Sequence, residues 1–428
     1  MERIAIVGTG IAGLGCAHYL RGKAEITLLE KNDFPGGHTN TRVVDEDGIL
    51  IPIDTGFIVF NKVTYPLLTA LFEELDVPVK PAWMSFAVRH DGDNVEYNGM
   101  GMNKFFAQRA NMFRPAFYRL LLDILRFFRV ARVALTDETL ADCTMLEFCE
   151  RHRLGHEFRQ WYLVPMSSSV WSTDPAKVLQ FPALLLIRFF HNHGFLGVTT
   201  HHPWFTVDGG GRTYVQKILE KAGALRLQSA IGGISETMDG VKLRTSSGET
   251  LRFDRVIVAS HADQALAMLD KPDASQQELL SPFFYQRNHA TLHTDNSFMP
   301  LRKRAWAAWN FLVEAPRQET SLRNPTSTVH YWMNALQGVS KKRDYFVSLN
   351  CEERIRKEHI LYETTYEHPV FTVETLCAQR RLDDLNRKSP RQRMFFCGSY
   401  FRHGFHEDAL WSAHRLCETL VPSLSTSP

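Results

Sequence analysis

The chain has 428 residues, room for two large domains or about three smaller ones. Hydrophobic residues make up 44% and charged residues 22%, which excludes a disordered or collagen-like chain. Forty-nine lysines and arginines against 47 acids leave a net charge of +2, too little for a global nucleic-acid trap, so no nucleic acid is expected as a partner.

The first residues carry no basic stretch followed by a long apolar run, so no secretory signal is expected. Residues 3–7 read as a short buried strand. Gly8-Thr9-Gly10-Ile11-Ala12-Gly13 follows at once and opens a helix through Leu14, Ala17 and Leu20. Residues 25–29 form a second strand that ends at Glu30. A strand, a Gly-x-Gly-x-x-Gly turn, a helix and a second strand ending in an acid make the βαβ unit that binds a dinucleotide. The glycines allow a tight turn, close approach of backbone to a pyrophosphate and close packing of helix on strand. The helix start then offers unpaired N–H groups to the phosphates, and the Glu30 carboxylate can accept both hydroxyls of a ribose.

Further along come Phe34-Pro-Gly-Gly-His38 and Ile51-Pro-Ile-Asp-Thr-Gly-Phe57. From Pro115, the residues Phe117, Leu120, Leu121, Ile124 and Phe128 fall on one helical face and Arg119, Arg126 and Arg129 opposite. Residues 100–135 hold seven bases and one acid. Two readings fit: a helix lying on an anionic membrane with its Phe face among acyl chains, or a surface helix with that face on the core. The apolar stretches at 116–134 and 183–190 are broken by charges or too short to span a bilayer. His191, His193, His201 and His202 lack nearby cysteines or a His-Glu-x-x-His helix, and no metal is expected. Gly209-Gly210-Gly211 reads as a turn bringing backbone close to a cofactor ring. Ala230-Ile-Gly-Gly-Ile234, Gly240-Val-Lys-Leu243 and Asp254–Ala259 follow. Met394–Ser399 and Gly404-Phe-His-Glu-Asp-Ala-Leu410 complete the glycine-rich set. The 29 phenylalanines concentrate between these motifs and ask for a large apolar cavity or surface. The seven cysteines include no Cys-x-x-Cys pair and read as reduced thiols of a cytoplasmic protein.

These motifs together resemble the flavin-containing amine oxidase superfamily, with its phytoene desaturases and protoporphyrinogen oxidases. The segments 292–295, 299–310 and 404–408 look like a bacterial subgroup of FAD proteins. That subgroup is similar to the N-terminal part of plant cyclopropane fatty acid synthases and includes a desaturase of fatty acyl chains. The resemblance implies an α/β (α+β) fold in which a Rossmann-like FAD-binding domain (1–80, 205–282 and 385–428) interleaves with a substrate domain of mixed sheet and helices (81–204 and 283–384). It implies FAD contacts at Gly8, Gly10, Ile11, Ala12, Gly13, Glu30, Lys31, Gly36, Gly37, His38, Thr55, Gly56, Phe57, Ile231, Gly398, His406, Glu407, Asp408 and Ala409. Two positions depart from the family: His38 stands where Arg is common, and Ser399 where an acid often follows Gly398.

The resemblance also implies that the flavin does the chemistry, with the protein holding a C–H bond against it. Hydride loss from an acyl chain leaves a cation-like centre, so a base must take a neighbouring proton. Candidates are His289, His293, Asp295, Tyr366 and His368. Where many amine oxidases carry a lysine, on the strand aligned with 288–294, this sequence has Asn288 and His289. The expected function is FAD-dependent desaturation of a fatty acyl chain of a membrane lipid, on the inner face of the membrane. The alternatives are a fatty-acid double-bond isomerase, an amine oxidase, and a non-catalytic lipid-binding subunit for a cyclopropane-synthase-like methyltransferase.

Overall fold

The computed structural model describes residues 1–140, 143–171, 174–197, 200–314, 327–386 and 392–424. Residues 387–391 and 425–428 of the expected C-terminal FAD segment, and 141–142, 172–173, 198–199 and 315–326 of the expected substrate domain, lie outside that set. The apolar run Arg3–Val7 sits at the centre of a five-stranded parallel sheet, between Glu25–Leu29 and Arg255–Val258, with Met394–Phe396 and Ala224–Arg226 at the edges. Buried on both faces, its residues Ile4, Ala5 and Ile6 have no accessible surface. The helix Ile11–Leu20 crosses this sheet and packs on the closing helix His406–Leu424, so residues nearly 400 positions apart share one core. A three-stranded antiparallel meander, Ile231–Thr237, Gly240–Thr245 and Thr250–Phe253, covers the opposite side.

A second, seven-stranded sheet runs in the order Ile360–Val370, Phe284–His293, Phe346–Leu349, Ser327–Trp332, Trp309–Val313, Phe86–His90 and Val95–Asn98. All its pairings are antiparallel except that of Phe86–His90 with Trp309–Val313. The helices Pro115–Ala134, Val164–Trp171 and Ala183–Asn192 bury their apolar sides in the cluster that covers one face of this sheet. The two parts are tied by the pair Val79–Ala82 and Trp204–Val207 and by Gln337, which donates its side-chain amide to Asp54 Oδ2 at 2.7 Å.

For the helix Pro115–Ala134 the structure decides between the two readings. Phe117, Leu120 and Phe127 have no accessible surface and Phe128 keeps 9%. The Phe117 ring packs 4.8 Å from Phe105, and Phe127 packs 5.2 Å from Phe158. The Phe face therefore lies on the protein's own core and cannot enter a bilayer. Periodicity reports that one face is covered, not by what.

All seven cysteines are free thiols. Among the described residues no helix is long and apolar enough to cross a membrane.

Candidate functional site

The first glycine turn is built as a phosphate cradle. Gly8 has φ +103°, and a Cβ there would lie 2.5 Å from Ala259 O; a Cβ on Gly13 would lie 1.9 Å from Gly8 O. Around the corresponding point on Gly10 no heavy atom lies within 4 Å. Gly10 is the N-cap of the helix, and no side chain caps it. The first-turn N–H groups, around Ile11, Ala12 and Gly13, have no partner within a helix of their own, so an anion fits the open space above Gly10. The Gly36-Gly37 turn closes over the same point: Gly36 N donates to Thr9 O at 3.1 Å, and a Gly37 Cβ would lie 3.1 Å from Gly10 Cα.

Glu30 is buried at the strand end, but its carboxylate is already engaged. One oxygen accepts from the Thr9 backbone N–H at 3.1 Å and from the Thr9 hydroxyl, the other from Asn32 N at 3.0 Å and Nδ2 at 2.9 Å. A ribose diol would have to displace or share these donors. Lys31 beside it is exposed. Ile231 lies near the same point, two residues after Ser229, whose N–H donates to Glu30 O at 2.7 Å.

Beyond the glycine pair lies a cleft between the two sheets. His38, Phe57, His368 and His406 sit deep in the molecule yet keep accessible surface, as the lining of a cleft does. His38 stacks on Tyr366 at 5.0 Å and meets His368 edge-on at 5.4 Å. Thr55 donates its hydroxyl to Asn40 O and bonds the Tyr366 hydroxyl at 2.6 Å, while a Cβ on Gly56 would collide with His38 O. Phe57 stacks on His406 at 3.9 Å. His406 Nε2 lies 2.7 Å from Tyr214 Oη and 3.2 Å from Thr39 Oγ1. Burial, followed by the neighbouring imidazoles of His368 and His261, holds His38 well below the usual range. Burial likewise holds His368 at about 4 and His406 at about 3. These three imidazoles are therefore neutral at pH 7. The Gly209–Gly211 turn docks on the cleft wall, with Gly211 N donating to the Asp54 carboxylate at 3.0 Å.

At the start of the closing helix the two acids are occupied by caps. Glu407 accepts from Leu67 N and Leu68 N at 2.9 and 3.0 Å and so caps the helix Pro66–Glu74. Asp408 accepts from Phe405 N at 2.9 Å, and burial raises its carboxyl to about 6. Ala409 N is bonded to Phe405 O at 3.1 Å. What this end can offer a cofactor is backbone dipole rather than carboxylate. Gly398 N is held by the Ser412 hydroxyl at 2.9 Å.

The five proposed proton acceptors separate across the second sheet. Register pairs Asn288 with Tyr366 and Gln286 with His368, so these side chains share the face that meets His38. His289, His293 and Asp295 belong to the opposite face or to the loop beneath it. His289 lies 3.9 Å from Glu363, and His293 Nε2 bonds Ser348 Oγ at 2.6 Å, next to His330. Asp295 accepts from Ser297 N at 3.0 Å and lies 3.7 Å from Arg356. On the cleft face, Asn288 donates Nδ2 to His368 Nδ1 at 2.8 Å and accepts from Asn350 Nδ2 at 2.8 Å. His368 is thereby held with its proton on Nε2, a donor rather than an acceptor. Sequence reasoning assigned no role to Asn288 or Asn350; their partners lie 80 and 62 residues away, and no local signal announces them.

A cavity of about 910 Å³ opens beside the closing helix. Its walls include Leu67, Phe189, Leu196, Phe405 and Trp411, with Arg132 and Arg402 among the polar lining. The Phe405 ring stacks on Phe189 at 5.1 Å and is followed directly by His406 of the cleft. His191, His193 and His202 also line it; His193 is held by Phe189 O and His202 by Asn192 O, each at 3.0 Å.

Comparison with known proteins agrees with this architecture. Over 87 residues the chain is 36% identical to a 15-cis-phytoene desaturase of Synechococcus elongatus, a match to 20% of this chain and 18% of that protein. The fold superposes on a CLA-producing fatty acid isomerase from P. acnes with a TM-score of 0.69 at 14% identity, covering 98% of each chain. It superposes equally well, also at 14% identity and over 99% of each chain, on cyclohexylamine oxidase from Brevibacterium oxydans IH-35A. The family model described as flavin containing amine oxidoreductase matches residues 11–421. The chain belongs to the flavin-containing amine oxidoreductase family, and its cofactor is FAD.

Proposed function

We propose that this FAD-dependent oxidoreductase removes hydride from a long apolar substrate, the fatty acyl chain of a membrane lipid, and desaturates it, the hydride passing to the flavin and the neighbouring proton to water. The observation that carries the reading is the cavity of about 910 Å³, one side of which is walled by Leu67, Phe189, Leu196, Phe405 and Trp411 and adjoins the cleft through Phe405 and His406. Its aromatic and aliphatic side suits an extended hydrocarbon, and the charged and polar residues on its other side, Arg132 and Arg402 among them, suit the lipid's polar head. Bound FAD supplies the two-electron acceptor.

The chain's own residues position and exclude. His38, His368 and His406 are neutral at pH 7, so the cleft carries no imidazolium to repel a cation-like centre forming on the substrate. Asn288 and His289 stand on the strand where many amine oxidases carry a lysine, which disfavours amine oxidation. One observation also favours a second reading, double-bond isomerisation. Tyr366 is pushed up by burial and His368 presents an N–H, so both groups on the cleft face accept protons poorly, and isomerisation needs no net proton removal.

Anaerobic mixing with bacterial phospholipids separates these readings. Lasting loss of the yellow flavin absorbance with a new double bond supports desaturation. Shifted double bonds without bleaching support isomerisation. Unaltered lipid and an unbleached flavin refute both.

A further inference from the structure

The burial of the Phe face leaves the other side of the helix Pro115–Ala134 to be accounted for. Tyr118, Leu122, Leu125, Arg129 and Val133 are spaced by four, three, four and four residues and form one outward stripe, about 22 Å long. Leu122 is 63% and Val133 71% exposed. The 3-10 turn Arg109–Phe113 immediately before the helix adds Met112 and Phe113, the latter 87% exposed. Isolated exposed apolar residues are ordinary, but four along one face of one helix, interrupted only by Arg129 and preceded by Phe113, are not.

We propose that this face, Phe113 and the stripe from Tyr118 to Val133, docks the protein on a bilayer that carries anionic phospholipid. Charge identifies the occupant. Residues 100–135 contribute Lys104, Arg109, Arg114, Arg119, Arg126, Arg129 and Arg132 against one acid, Asp123. Asp123 is buried and bonded to Arg126 and to Gly155 N, so it offers the surface no negative charge. Of the seven cations only Arg119 and Arg126 are paired with carboxylates among the described residues, Glu157 and Asp123. Arg132 donates to a backbone carbonyl, and Arg109 and Arg114 to carbonyls and an Asn side chain, all of them uncharged partners. Apolar side chains able to enter the acyl boundary, flanked by uncompensated arginines at headgroup level, match an anionic lipid surface.

The surface also leads to the cavity. Arg132 lies on this helix and lines the cavity, where its guanidinium donates to Leu196 O at 2.7 Å. A docked helix would bring that wall to the lipid; this second step rests on the acyl-chain reading, whereas the docking surface does not.

The test is flotation of the full holoprotein with vesicles of phosphatidylglycerol and phosphatidylcholine, or of phosphatidylcholine alone. The protein should float with the anionic vesicles and be released as salt screens the headgroups. The double variant Leu122→Glu/Leu125→Glu should lower the bound fraction about tenfold or more, with flavin content and melting temperature retained. Met238→Glu, at a 95% exposed residue on a distant hairpin, should change nothing. Wild-type protein that stays unbound at low salt, or a double variant that floats like wild type, overturns the proposal. So does a wild-type dimer that the double variant abolishes without any vesicle binding, which would make the face a contact between copies. Wild type that binds vesicles and leaves their acyl chains unaltered refutes the acyl-chain reading and leaves the docking surface standing.

Discussion

Gly10→Asp separates cofactor binding from folding. The Gly10 backbone has φ −62° and ψ 174°, ordinary for an N-cap, and no heavy atom lies within 4 Å of its Cβ position. The aspartate therefore fits without strain, and as a helix N-cap it should stabilise the FAD-free protein by a few tenths of a kcal/mol relative to glycine. The same carboxylate points into the open space above the helix start, where the proposed cradle would hold the pyrophosphate. At a separation of about 4 Å and an effective dielectric constant of about 20, one such pair of like charges costs about 4 kcal/mol. That is about three powers of ten in Kd. The variant should purify colourless, with an apo form that melts at or slightly above wild-type apoprotein. Flavin absorbance per protein and thermal melts of both apo forms measure the two effects. A yellow Gly10→Asp protein would refute the cradle. A colourless protein that melts well below wild-type apoprotein would refute the claim that the position is free of structural constraint. Gly13→Ala is the contrast: its methyl would meet Gly8 O at 1.9 Å, so it should unfold or distort the turn regardless of FAD.

Three further outcomes follow from the packing. Phe117→Ala should cost about 3–5 kcal/mol in denaturant titration and Leu122→Ala no more than about 0.5, because one is fully buried and the other 63% exposed; equal effects would contradict the helix orientation. Burial holds His293 at about 4, below the value of about 6.5 expected when unfolded, so the folded state binds fewer protons. The stability it contributes is present above about pH 6.5 and is lost as pH falls through about 4, up to about 3 kcal/mol. His293→Gln should flatten the pH profile of the urea midpoint by a comparable amount, and an unchanged profile would rule out this account. Glu407→Ala removes the acceptor of Leu67 N and Leu68 N and should destabilise the protein by about 1–3 kcal/mol. Amide exchange should quicken at the start of the helix Pro66–Glu74, and an unaltered exchange pattern there would refute the capping role.

The legible parts of the sequence were those written locally. The nucleotide cradle spans Gly8 to Gly13 and its βαβ frame ends at Glu30, so every spacing that defines it lies within about thirty residues. The turn demands glycine for steric reasons that hold wherever the chain goes afterwards. The return of the far C-terminus was legible only through resemblance, since nothing in residues 394–410 alone says which helix they pack on.

What tertiary structure decided was facing and pairing. Alternation along Phe284–His293 says that Asn288 and His289 point to opposite sides of a sheet, but not which side meets His38. The answer lies in the register with Ile360–Val370, which sets Asn288 beside Tyr366 and leaves His289 and His293 on the other face. The helix Pro115–Ala134 poses the same problem with a period of 3.6. Its Phe side and its Leu side are both apolar, and the core took the aromatic side because Tyr97, Phe105, Phe106 and Trp161 close around Phe117. A period fixes which residues travel together; only the neighbours brought by the rest of the chain determine what they meet.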